Sequence, residues 1–116
     1  MARGPDNFKR GTTELLVLML LDKHNDLHAY RMINIFKERS NGLYTVLESS
    51  LYLVLINMES KGYITSYEKT VKKKLKHRCY NITEEGRSRL RYLISEYDSV
   101  TEGINLIRNW EDDQDE

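Results

Sequence analysis

The sequence predicts a mainly α fold with a small β component (α+β): three helices, a β-hairpin and a long terminal helix. Three observations predict it. Apolar residues recur at helical spacing up to Lys61, the period becomes that of strands between Tyr63 and Ile82, and an alternating three-four apolar spacing then runs from Leu90 to Ile107. The 116 residues are sized for one domain. No stretch approaches the roughly 18 consecutive apolar residues of a membrane span.

Residues 1–10 are polar and carry Gly4-Pro5, which reads as a flexible arm bearing Arg3, Lys9 and Arg10. The first helix is expected after Gly11, with Thr12 or Thr13 as its cap and Glu14 in its positive first turn. Through Leu21 it is apolar nearly all round, so it belongs at the centre of the core. The second helix, about Leu27 to Arg39, is expected to be capped by Asp26 and to bury Ala29, Met32, Ile33 and Phe36. Ser40-Asn41-Gly42 stops it, with Asn41 or Gly42 taking a left-handed conformation.

The third helix runs to Lys61 and Gly62 ends it. Thr45 has capping-box spacing to Glu48, while Glu48-Ser49-Ser50 can equally begin the helix. Leu47, Leu51, Leu55 and Met58 make its apolar face. Two strands follow, Tyr63–Glu68 and Leu75–Ile82, joined through a lysine-rich tip. That tip lacks an Asn-Gly or Asp-Gly turn and is expected to be loose. The last helix is expected from Thr83 to about Trp110, with Glu84 and Glu85 in its first turn. Its Leu90, Leu93, Tyr97, Val100, Ile104 and Ile107 have the spacing of a coiled-coil seam. A helix of about 40 Å is too long for so small a domain to cover, so the exposed end of the seam needs a partner.

The formal net charge is zero, but the distribution is uneven. Residues 111–116 form an acidic tail; setting its five acids aside leaves 13 against 18 bases. Lys69–Arg78 holds six bases, one histidine and no acid. The single cysteine, Cys79, excludes an internal disulfide and fits a reducing, cytoplasmic setting. It reads as a buried thiol, with a redox role as the alternative. There is no glycine-rich phosphate loop, nucleophile elbow or zinc-protease motif, so no enzyme and no cofactor is expected. His24 and His28 are four apart, but a break separates them and no Cys/His cluster accompanies them, so no metal is expected.

Helix, helix, turn, helix, hairpin, long helix is the order of a winged helix-turn-helix. Its exposed third helix fits the major groove of double-stranded DNA, and a basic hairpin reaches phosphates. Residues 11–82 are thus expected to be the DNA-binding domain and residues 83–110 the dimerisation helix.

The residues also resemble a family. Gly11–Leu18, Leu27-His28-Ala29-Tyr30, Leu51–Leu55 with Met58–Ile64, and Arg78–Arg87 are similar, in order, to four segments of the PadR family of bacterial transcriptional regulators. The resemblance covers residues 11–109. It implies a homodimer held by the last helix and a repressor on a palindromic operator that responds to a small aromatic ligand or to stress. Tyr97 aligns with an aromatic that stacks on such ligands in the short branch of the family. Ile56-Asn57 stands where the family often has Lys-Arg, and lysines replace the usual glycines of the wing.

The candidate DNA contacts are Ser49, Ser50 and Tyr52 on the third helix, Lys72, Lys73, Lys74 and Lys76 on the wing, Tyr30 on the second helix, and Arg10 on the arm. The serines can equally cap, and Tyr52 can equally pack. Leu53 and Ile56 share the outward face, which is unusual for a helix that reads DNA; the alternative is that they pack on the last helix of a partner. The candidate dimer contacts are the six seam residues, with Tyr97 also the candidate ligand contact. The competing expectation is a winged helix that serves protein–protein assembly and has no operator of its own.

Overall fold

A computed structural model describes residue 9 and residues 11–112 of the chain. The elements are α1 (Thr12–Lys23), β1 (Leu27–His28), α2 (Ala29–Arg39), α3 (Glu48–Ser60), β2 (Ile64–Thr70), β3 (Lys76–Ile82) and α4 (Glu84–Arg108). This is a winged helix-turn-helix with a long C-terminal helix.

Helix α1 is central, as its apolar composition requires. Val17, Leu18 and Leu21 are sealed from solvent and pack with Met32 and Phe36 of α2, Leu51, Leu55 and Met58 of α3, and Ile64 of β2. The expected threonine cap does not form. Gly11 occupies the cap position with no side-chain bond. Thr12 and Thr13 instead lie within the helix, each 2.8 Å from the Tyr44 hydroxyl. They tie the loop between α2 and α3 to the start of α1.

The expected start of α2 is also corrected. Asp26 has φ 64°, and Leu27 and His28 are extended and pair antiparallel with Tyr80 and Cys79. The sheet therefore has three strands in the order β1-β3-β2. The short β1 segment satisfies its backbone in the sheet instead of opening the helix. Asp26 becomes a local anchor: its carboxylate accepts bonds from the Tyr67 hydroxyl at 2.8 Å and the Asn81 amide at 3.0 Å.

Both helix exits near the turn follow the Schellman pattern. After α2, Asn41 takes φ 56° and Gly42 donates to the Lys37 carbonyl at 2.8 Å. After α3, Gly62 takes φ 82° and Tyr63 donates to Met58 at 3.0 Å. Helix α3 begins at Glu48, so Thr45 is no capping residue, and Leu47 lies outside the helix, 73% exposed rather than on its apolar face.

The wing pairs Ile64–Thr70 with Lys76–Ile82 in continuous antiparallel register. Its tip is closed by backbone bonds. Val71 donates to the Leu75 carbonyl at 2.8 Å and Leu75 to Lys72 at 3.1 Å, with no positive φ within it. A loop of this length closes without the glycine that two-residue hairpins require.

Thr83 alone separates β3 from α4. Its hydroxyl accepts from the Gly86 amide at 3.0 Å and bonds to the carbonyls of Gly62 and Tyr63. It caps α4 while holding the exit of α3. Helix α4 ends at Arg108, short of Trp110.

Candidate nucleic-acid interface and association surface

The prospective DNA-facing side is built from the start of α2, the outer face of α3 and the wing. The core positions at Leu51, Leu55 and Met58 turn the opposite side of α3 outward. Ser49, Ser50 and Tyr52 are all exposed there, as is Tyr30 near the start of α2. Leu53 and Ile56 join them at 71% and 65% exposure. One flank of this face borders an open groove of about 720 Å³ between α1 and α3, lined in part by Leu47, Leu53, Val54 and Met58.

Lys72, Lys73 and Lys74 project at the wing tip, exposed and without an acidic partner among the described residues. Lys76 differs. It lies on β3 with its ammonium 3.9 Å from Glu68, which Arg78 also approaches at 3.5 Å. Arg78 further donates to the Ser66 hydroxyl, and Ser66 to the Glu59 carboxylate at 2.9 Å. This chain of bonds joins the wing to α3, and it partly neutralises Lys76 and Arg78. Arg10 lies outside the described residues. Lys9 is held inward, bonded to the Thr45 carbonyl and stacked over the Tyr44 ring.

Two features escaped the sequence. His28 of β1 and His77 of β3 stack with ring centroids 4.1 Å apart. Burial, the neighbouring His77 and Arg31 together push the His28 imidazole below its usual pKa. The Asp26–Tyr67–Asn81 cluster sits beside them. Its hydrogen bonds hold the Asp26 carboxyl below the usual carboxylate range, Asn81 contributing most, and push Tyr67 up to about 12. Both depend on strand β1, whose two residues carry no readable period.

The other surface is α4. Its first half is fastened to α1. Arg89 donates to Glu14 at 3.0 Å and lies over Tyr63 and Tyr92, while Arg87 reaches Asp22 at 3.3 Å. The bond to Glu14 raises the already high Arg89 pKa. Leu90 is 6% exposed within the chain's own core, so it is unavailable to a partner, contrary to expectation. Leu93 packs partly on that core. Beyond it the seam stands open: Tyr97, Val100, Ile104 and Ile107 are exposed along one side. Cys79 is buried in the sheet.

The sequence profile of the transcriptional regulator PadR-like family matches residues 17–92. A curated protein of Lysinibacillus sphaericus is 30% identical over 98 residues, which span 84% of this chain and 89% of that protein. Among solved structures, a transcriptional regulator from Clostridium thermocellum has a TM-score of 0.79 at 26% identity, covering 85% of this chain and 95% of that one. Bacillus subtilis PadR, solved in complex with operator DNA, has a TM-score of 0.66 at 25% identity. That match covers 72% of this chain and 47% of PadR.

Proposed function

The chain belongs to the transcriptional regulator PadR-like family, whose members regulate transcription by binding DNA and are not enzymes, and from that premise we propose that it is a homodimeric repressor of a palindromic operator. Residues 11–82 are the DNA-binding unit, residues 83–110 the association helix, and residues 111–116 an acidic tail. The observation that carries this reading is the uncompensated lysine triad Lys72–Lys73–Lys74 on a wing bonded to α3. Phosphates neutralised by those lysines release counterions, which supplies affinity without reading sequence. The operator complex of B. subtilis PadR supports the same use of the same fold.

Ser49, Ser50, Tyr52 and Tyr30 then meet the backbone or groove, and Lys76 contributes less than the triad because Glu68 shares its charge. Two copies join along Leu93, Tyr97, Val100, Ile104 and Ile107, which places the paired α3 helices on successive major grooves. A small aromatic effector stacks on Tyr97 and favours one dimer geometry over another. Its action on DNA is placed in the cytoplasm; among the described residues no helix is long and apolar enough to cross a membrane.

The test is a mobility-shift titration of wild type and of a Lys72→Glu, Lys73→Glu, Lys74→Glu variant at several salt concentrations. Wild type is expected to lose affinity steeply with salt. The variant is expected to bind more weakly, with its slope reduced by about 0.9 for each phosphate it no longer neutralises. Equal retention of DNA by both proteins would refute the role of the wing.

A further inference from the structure

Of the surfaces assigned above to DNA, α3 alone carries no base. Glu48–Ser60 contains two acids, and one of them, Glu59, is held by the Ser66 hydroxyl. At 100° per residue, the positions opposite the buried Leu51, Leu55 and Met58 are Ser49, Leu53 and Ser60, flanked about equally by Ile56 and Asn57, with Ser50 and Tyr52 at the edges. Guanine is read in the major groove by the paired donors of arginine or lysine, and adenine by asparagine or glutamine. This face has no arginine or lysine and a single amide, Asn57. Beside that amide it offers two branched apolar side chains, Leu53 and Ile56, and serine hydroxyls. Thymine is the one base that presents an apolar group in the major groove, its C5 methyl.

We propose that α3 reads thymine methyl groups through Leu53 and Ile56, so that the bound sites are defined by the positions of thymines rather than guanines. The inference rests on the DNA-binding reading above. It divides the labour: the wing lysines supply affinity for any duplex, and the apolar face supplies discrimination. Charge complementarity favours this occupant over an apolar protein surface. The wing that carries the uncompensated lysine triad is bonded to the end of α3 through Glu59, Ser66 and Arg78, and the face is edged by hydroxyl and amide groups, which suits a polyanion with methyl groups in its groove. Each thymine methyl that packs on Leu53 or Ile56 leaves water, which is worth about threefold to fivefold in affinity.

The test begins with selection of duplexes from a random pool by the full-length chain. Each thymine of the selected half-site is then replaced in turn by deoxyuridine, which removes only the methyl. Leu53→Ala and Ile56→Ala serve as partner variants, since both positions are exposed and the fold does not depend on them. The expected result is thymine-rich half-sites, weakened about threefold to fivefold by deoxyuridine at one or two positions. The alanine variants should bind the thymine site more weakly and lose their sensitivity to deoxyuridine at the same positions. Guanine-anchored sites indifferent to deoxyuridine overturn the inference while leaving DNA binding intact. Alanine variants that bind unchanged but self-associate less assign the face to a protein contact and overturn it as well. Failure to retain any duplex at low salt refutes the DNA-binding reading beneath it.

Discussion

Gly86 shows how one position can constrain the whole assembly. A β-carbon there would sit 2.1 Å from the Tyr63 carbonyl oxygen and 2.7 Å from Ile82 Cγ1. The first of these is backbone and cannot rotate away. Gly86→Ala is therefore expected to cost about 3 kcal/mol, at the upper end of overpacking effects, measurable by urea denaturation. His28 makes a second prediction at this scale. Its folded pKa lies below the ordinary 6.5, so the unfolded chain binds a proton more readily than the folded one. Its contribution to stability is full above about 6.5 and is lost as pH falls from there through the folded value. The melting temperature is expected to fall between about pH 7.5 and about pH 5.5, and less so in His77→Gln, where one neighbouring charge is gone. Asp26 acts in the same direction but in the carboxylate range, at lower pH. None of these contacts was legible in the sequence. Gly86 could be read only as part of a motif, and the His28–His77 and Asp26–Asn81 pairs join residues about fifty apart in the chain.

At the scale of elements the sequence was far more readable, because periodicity and caps are local. The buried faces of α1, α2 and α3 and the left-handed exits at Asn41 and Gly62 all stood in the pattern. Most of the failures share one cause. Thr12, Thr13, Thr45 and Asp26 are good capping residues by type, but tertiary partners claimed the first two and the last: Tyr44 took the paired threonines and the sheet edge took Asp26. Leu90 likewise fitted a continuous seam, and only the packing of α1 against α4 showed that it serves its own chain. The Glu14–Arg89 pair that fixes this packing is partly buried. A double-mutant cycle with Glu14→Gln and Arg89→Met is expected to give a coupling of about 1 kcal/mol, between the values for exposed and buried pairs. A coupling near zero would show that this pair does not help to seat α4.

The described residues extend over 71 × 34 × 24 Å, and α4 outruns the domain. At Tyr97 the side chain is 53% exposed, and the apolar residues beyond it have no core to join. Ile104→Glu is expected to leave the circular dichroism of the domain nearly intact while converting dimer to monomer in sedimentation equilibrium, and to weaken operator binding with it. The junction at Thr83 sets what such a dimer can transmit. With one residue between β3 and α4, and with that residue's hydroxyl bonded to the carbonyls of Gly62 and Tyr63, the joint has no slack. A rod welded at its base turns its mount when its far end is turned. If two copies join along α4 as proposed, a tilt imposed at their contact is expected to swing both hairpins, so spin labels on the two wing tips should change their separation whenever labels on that contact do.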